Sequence, residues 1–288
     1  MPATTFEETQ AQSERAYKRW GELWHNNARE NTKTMTAQKS LERRGVGRQL
    51  ILFAFGPSFQ ENVEKIKKST LHHCCDIMAV DKASLALIDN GIIPKYIMVA
   101  DAQVDFEKYG RIPTELVKSI ELITVVTANH HWSDYWKSNG GNVHYILNKD
   151  GIRTQKVYGK YLEDKPYYFI PAASNVSNSA YVVASLVMAY PLIYLAAFDF
   201  SYNPDGLFYG QETEPPKDTN YGILKKEFNC HIHQLDVTGE LRQVSANMDF
   251  SCRWLMDFIN NLSSKIGITT INITEHGMLT LPFMGRVA

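Results

Sequence analysis

Nowhere does the 288-residue chain hold the ~18 consecutive apolar residues that a membrane-crossing helix requires. Its first residues, MPATTFEETQAQSER, contain no apolar stretch of the kind a secretory leader carries, so a cytoplasmic setting is expected. Cysteine is scarce: the four, Cys74, Cys75, Cys230 and Cys252, form no CxxC pair, and a reduced compartment is the default. Neither charge dominates. Thirty basic against 31 acidic side chains give a formal charge of −1, which argues against a dedicated nucleic-acid surface or a polybasic membrane face. There is no internal repeat and no low-complexity tract. What remains, 44% hydrophobic and 21% charged residues, suits a soluble globular protein with a sizeable core.

The pattern changes along the chain. Residues 1–48 are highly charged, with Tyr17, Trp20 and Trp24 at helical spacing, and predict an N-terminal helical extension packed on the outside of the main domain. The polar stretch NTKTMTAQKSLERRG beyond it reads as a second helix or a linker. From Leu50, short β-rich runs alternate with helical segments: LILFAF, IMAV, YIMVA, LITVVT, VHYIL, YYFI, LIYLAAF and, after a long gap, TTINIT. Near-continuous apolar strands separated by helices predict an α/β fold over 49–288, a Rossmann-like, mostly parallel sheet with helices on both faces. HIHQLDVTGELRQVS predicts a hairpin turning near Thr238-Gly239, and NMDFSCRWLMDFINNLSSKIG a helix ending at Gly267. The stretch from Ser201 to Asn229 is too long for a plain connection and reads as a lid or substrate loop.

In an open parallel sheet, ligands bind beyond the carboxyl ends of the strands, where helix N-termini converge, so the residues just after each strand are the candidates. Gly56-Pro57-Ser58 come after the first, Asp81-Lys82 the second, Asp101 the third, Asn129-His130-His131 the fourth and Asp199 a later one. Gly56 permits a positive φ and close approach, Pro57 fixes the turn, and Ser58 with Glu61 forms a capping box whose first-turn N–H groups suit an anion. The same residues are also an ordinary helix start. PAASNVSNSAYVVASLVMAY repeats the arrangement with Ser174, Asn175, Ser177 and Asn178, although tight helix–sheet packing through small residues explains it equally. Asp101 can bond a ribose, hold a cation or act on a hydroxyl, and Asp105 four residues on makes a two-carboxylate metal seat conceivable. His130 and His131 are candidate acid–base groups, or merely ring-packing ones. His72-His73-Cys74-Cys75 is discounted as a metal cluster, because neighbours on one extended segment point to opposite faces. His231 and His233 share a strand face with no third partner in sight and read as structural.

Taken in order, FAFGPSFQENV, MAVDKASLALIDNGIIPKYIMVADAQ, ASNVSNSAYVVASLVMAY, IYLAAFDFSY and INITEHG resemble the core of the motility accessory factor family of flagellin sugar transferases, which shares a domain with archaeal-type 6-hydroxymethylpterin pyrophosphokinases. The resemblance runs from about Gln49 to Gly277, and the Gly-Pro-Ser turn is also similar to that of bacterial sialyltransferases that contact a cytidine nucleotide. Phe55 stands where that sialyltransferase turn has Asn, and ADAQ stands where the pyrophosphokinases carry paired acids.

The resemblance implies a glycosyltransferase-like enzyme that uses a nucleotide-activated sugar, a CMP-nonulosonic acid, to modify a protein or glycan hydroxyl. Gly56, Pro57, Ser58, Asp81, Ser174, Asn175, Ser177 and Asp199 would then line the donor site, with Asp101, His130 or His131 taking the acceptor proton. The alternatives are a pyrophosphokinase acting on a 6-hydroxymethylpterin-like substrate, with Mg2+ on Asp101 and Asp105, and a nucleotide- or sugar-binding module without turnover.

Overall fold

The structure, a computed structural model, describes residues 6–36, 40–149, 151–162, 165–171, 173, 175–202 and 231–281. Helix α1 (Phe6–Lys33) precedes strand β1 (Gln49–Phe53). Then come α2 (Phe59–Lys68), the one-turn α3 (Leu71–Cys74), β2 (Cys75–Val80), α4 (Asp81–Asp89) and β3 (Tyr96–Val99). The short α5 (Phe106–Tyr109) and α6 (Thr114–Val117) lead to β4 (Glu121–Val125), α7 (His130–Ser138), β5 (Val143–Lys149) and α8 (Gly151–Lys156). After β6 (Tyr168–Pro171) and α9 (Val176–Val182), a π-helical turn over 183–187 leads into β7 (Leu192–Ala196). The hairpin β8 (His231–Leu235) and β9 (Leu241–Ser245), α10 (Ala246–Ile266) and β10 (Thr269–Asn272) complete the described elements.

Eight strands form one sheet in the order β10-β7-β1-β2-β3-β4-β5-β6, and every neighbouring pair is parallel. Leu50, Ile51, Leu52 and Phe53 are each fully buried. Successive side chains of a strand point to opposite faces, so both faces are covered, and each such side chain is worth ~1.5–3 kcal/mol of burial. The predicted fold class and hairpin are therefore what forms. Gly267 ends α10 in the left-handed conformation, φ 68°, as a C-terminal glycine should. The described part of 34–48 is turns rather than a second helix, and of the predicted lid, 201–229, all but Ser201 and Tyr202 lies outside the described residues.

The amino edge of the sheet is locked by charge. Asp76 accepts bonds from Arg48, from Lys95 at 3.2 Å and from the Tyr190 hydroxyl at 2.6 Å. Burial works against the Asp76 carboxylate, yet these donors hold its pKa below the ordinary value. Beside it Glu121 pairs with Arg44 at 2.7 Å and His144 at 2.6 Å, and its carboxyl is held at about 2 although burial opposes the charge.

Helix α1 is more than an outer layer. Trp24 is buried under the guanidinium of Arg153, 3.9 Å from the ring centroid. The Asn27 amide donates to the carbonyls of Ala102 and Thr127 at 3.3 and 3.2 Å, and the Asn31 amide to those of Val126 and Ala128 at 2.8 and 3.0 Å. The Asn31 oxygen in turn accepts from Ser133 at 2.6 Å. Two buried amides thus satisfy carbonyls of the backbone that leaves β3 and β4.

Replacing Asn31 with Ala would strand two buried carbonyls, while the Ser133 hydroxyl keeps the His130 carbonyl at 2.9 Å. The expected loss is about 2–4 kcal/mol of unfolding free energy, read from urea denaturation.

Candidate functional site

The sheet reverses direction of growth between β1 and β7: β2 to β6 extend one way from β1, and β7 and β10 lie on its other side. Loops leaving strands at such a point diverge and open a crevice. A cleft of about 940 Å³ occupies that position. Its wall takes Gly56-Pro57 after β1, Asp81-Lys82 at the end of β2, Asp101 after β3, Asn175 and Ser177 at the start of α9, and Asp199 after β7. Helix α1 closes another side with Trp20 and Trp24.

At the crevice the two halves of the sheet touch. The Ser58 hydroxyl and N–H donate to Asp199 Oδ2 at 2.8 and 3.3 Å, and the Gly56 N–H donates to the Ala197 carbonyl at 3.1 Å. A Cβ on Gly56 would stand 2.0 Å from that same carboxylate oxygen, so the position has room only for glycine. The reason differs from the expected one: Gly56 is not among the described glycines with positive φ, and close approach alone excludes a side chain. The expected capping box is likewise not made, because Ser58 spends its hydroxyl on Asp199 and Glu61 pairs with Lys65 at 2.7 Å. The first amide donors of α2 are also occupied, Ser58 N–H by Asp199 and Phe59 N–H by the Gly56 carbonyl at 3.0 Å.

Asp199 itself sits in a strained segment. Ala197 and Phe200 have φ of 59° and 52°, a left-handed conformation that costs a side-chain-bearing residue about 1 kcal/mol or more. The Asp199 carbonyl accepts from Met278 N–H at 2.7 Å, while Gly277, φ 98°, leaves no space for a Cβ against the Asp199 backbone. Burial raises the Asp199 carboxyl to about 6 even though Ser58 stabilises its charge. Asp81 is buried too, and its Oδ1 accepts from Lys82 N–H at 2.7 Å. Burial lifts it to about 7 against the pull of Lys82, and the nearby charge of Asp101 adds to the rise. Asp101 is exposed at the mouth, where its Oδ1 accepts from Gln103 N–H at 2.9 Å.

The other candidates fall into three places. Asn175 caps α9, accepting from Asn178 N–H at 2.8 Å and from the Ser177 hydroxyl at 3.1 Å, while Ser174 lies outside the described residues. Asp105 caps α5, accepting from Lys108 N–H at 3.2 Å, and does not line the cleft. His130 and His131 open α7 and do not line it either. His72 binds the Ile66 carbonyl at 3.0 Å and stacks near His73, Cys75 is pushed up to about 11 by burial, and no described three-ligand cluster includes them. The side chains of His231 and His233 are outside those described.

Sequence reasoning did not single out Arg153, Arg253 or Asn148 in the cleft wall. The strand-end rule, extended to β5, points to Asn148 and Arg153. Nothing in the sequence marks Arg253, which pairs with Asp249 at 3.0 Å and reaches Glu8 of α1 at 3.8 Å.

Residues 24–205, well over half of the chain, match the family model described as 6-hydroxymethylpterin diphosphokinase MptE-like. Among solved structures, the MAf glycosyltransferase from Magnetospirillum magneticum AMB-1 is similar in fold, with a TM-score of 0.61 and 18% identity over 98% of this chain. The chain spans 42% of that protein's length. Comparison with curated proteins finds no match.

A carboxyl raised by folding favours the folded state below its unfolded pKa and loses that contribution as pH rises through the folded value. With Asp81 moving from 3.8 to about 7, wild-type stability should fall between about pH 4 and 7 relative to Asp81→Asn. Urea midpoints of the two proteins should coincide near pH 4, separate up to about pH 7 and run parallel above it.

Proposed function

Because the chain belongs to the 6-hydroxymethylpterin diphosphokinase MptE-like family, we propose that it is a transferase that binds a nucleotide-activated donor across the carboxyl edge of β1, β2, β3 and β7. The observation that carries this reading is the cleft at the switch point, about 940 Å³, at the upper end of the size range of small-molecule sites. The group transferred is a sugar, passed to a protein or glycan hydroxyl. The fold shared with a protein described as a glycosyltransferase supports that choice, and the Gly56-Pro57-Ser58 turn favours a CMP-nonulosonic acid as donor.

Each residue then has a task set by its environment. Gly56 lets the first loop close against Asp199, where a Cβ would collide, and so sets the position of Pro57 in the cleft wall beside the nucleotide. Asn175 and Ser177 offer neutral hydrogen-bonding groups. Lys82, Arg153 and Arg253 supply the positive side of the wall for the phosphate that departs with the nucleoside. Asp81, with its carboxyl near 7, carries a proton in a fraction of molecules at neutral pH and can donate to a ribose or sugar oxygen. Asp199 holds the first loop in place through Ser58. Asp101, exposed and in the cleft wall, would take the acceptor's proton, since His130 and His131 stand outside that wall.

The family match favours a second reading, transfer of diphosphate from ATP to a 6-hydroxymethylpterin-like alcohol with Mg2+. The expected pair Asp101 and Asp105 is divided, since Asp105 caps α5 away from the cleft. Asp101 and Asp81, which do line it, would then hold the ion, and Mg2+ would neutralise the phosphates.

Thermal-shift titration with CMP, UDP, GDP, ATP and ATP plus Mg2+ separates the two. A rise in midpoint with the cytidine nucleotide is expected, whereas a response confined to ATP with Mg2+ would replace the sugar transferase with the diphosphokinase. Gly56→Ala should abolish the nucleotide shift. Asp101→Asn should keep that shift and lose turnover, and undiminished turnover in this variant would remove Asp101 from the chemistry.

A further inference from the structure

Three groups of metal-ligating side chains have their donor atoms within 4.8 Å of one another among the described residues. Two already hold a cation of the protein's own. Between Glu61 and Glu275 lies the Lys65 ammonium, 2.7 and 2.8 Å from their oxygens. Arg242 spans Asp236 and Glu240 at 2.9 and 2.5 Å. The third group, His130, His131 and Asp134 on the first turns of α7, has no Lys or Arg paired with its carboxylate among the described residues. The nearby ammonium groups are engaged elsewhere, Lys33 with Glu30 at 2.7 Å and Lys137 with the Thr34 carbonyl and the Tyr145 hydroxyl.

The protonation of His130 can be read from its neighbour. Asn27 donates its amide nitrogen to two carbonyls, Ala102 and Thr127, which fixes which end of the side chain is oxygen. That oxygen lies 3.1 Å from His130 Nδ1. An amide oxygen only accepts, so Nδ1 carries the proton and the lone pair of the neutral ring is on Nε2. Nε2 faces Asp134 Oδ2 at 3.9 Å, and the His131 ring lies 4.2 Å from the His130 ring between centroids. With the ring neutral, two acceptors thus face each other beside a second imidazole, and either a proton on Nε2 or a metal ion between them relieves the repulsion. Two donors each about 2.1 Å from a shared ion lie at most about 4.2 Å apart, so the 3.9 Å separation is within reach.

We propose that His130, His131 and Asp134 form a binding site for one divalent transition-metal ion, with Asn27 as the outer partner that aims His130 Nε2. Two imidazoles and one carboxylate suit Zn2+, Co2+ or Ni2+ rather than Mg2+, which prefers oxygen alone. The Asn27 bond to the other ring nitrogen is the outer-shell arrangement that orients metal-binding histidines elsewhere. Water completes the coordination, because His131 is exposed and Asp134 half-exposed. The site stands apart from the cleft wall, so it holds or fails independently of the transferase reading.

Calorimetric titration of the metal-stripped full chain with ZnCl2, and the visible bands that Co2+ gains on binding imidazole, test the site. One equivalent is expected, weakened more than about tenfold in His131→Ala and in Asp134→Asn and retained in the double variant His72→Ala/His73→Ala. Wild-type protein that takes up neither ion, or His131→Ala and Asp134→Asn variants that bind as the wild type does, would overturn it. Should a variant not fold, wild-type protein decides: Zn2+ should protect His130 and His131 from diethyl pyrocarbonate, scored by peptide mass, and equal labelling with and without Zn2+ rejects the site.

Discussion

The carboxylate of Asp199 is the joint on which the carboxyl end of the sheet depends. It accepts both the hydroxyl and the N–H of Ser58, a residue 141 positions earlier in the chain, and its own backbone is held by Met278. Three loops that would otherwise splay apart at the switch point are tied there. The tie is made under strain, with Ala197 and Phe200 in left-handed backbone, and in a place dry enough to lift the carboxyl toward neutrality. Strained backbone and a shifted acid gather at functional sites and in structural networks alike, and here both border the cleft.

The two edges of the sheet divide the work. At the amino edge Asp76 and Glu121 gather arginine, lysine, histidine and tyrosine around two paired carboxylates. At the carboxyl edge the acids stand on separate strands, one exposed and two buried, around a cleft. Helix α1 joins the two functions. Its asparagines bond carbonyls of the backbone after β3 and β4, and its tryptophans wall the cleft, so the segment is both a structural cap and part of the site.

Most of the fold could be read from the sequence because strands buried on both faces leave near-continuous apolar runs, as in LILF before Gly56. The strand-end rule likewise found Gly56, Asp81, Asp101 and Asp199, which meet in one cleft. Readings failed where a residue's partner is remote. Ser58 with Glu61 has the local form of a capping box, but Asp199 competes for the hydroxyl and wins. His130 and His131 come after a strand like the others, yet their helix turns them toward Asn27 and Phe106. The amide contacts of α1 carry no periodic signature, since one Asn on a polar face looks like another until the carbonyls it meets are known.

Strand order also sets a schedule for synthesis. From β1 to β6 each new strand is laid beside the one before it, whereas β7 must return to β1 and β10 to β7. Those long-range pairings close the largest loops and are the slowest to form. A chain emerging from the ribosome can therefore hold a six-stranded half-sheet whose first strand has a bare edge, with no wall opposite Gly56, until β7 arrives. The cleft therefore forms late in synthesis, and a nascent or truncated chain that stops short of β7 would expose an apolar strand edge open to pairing with a neighbour.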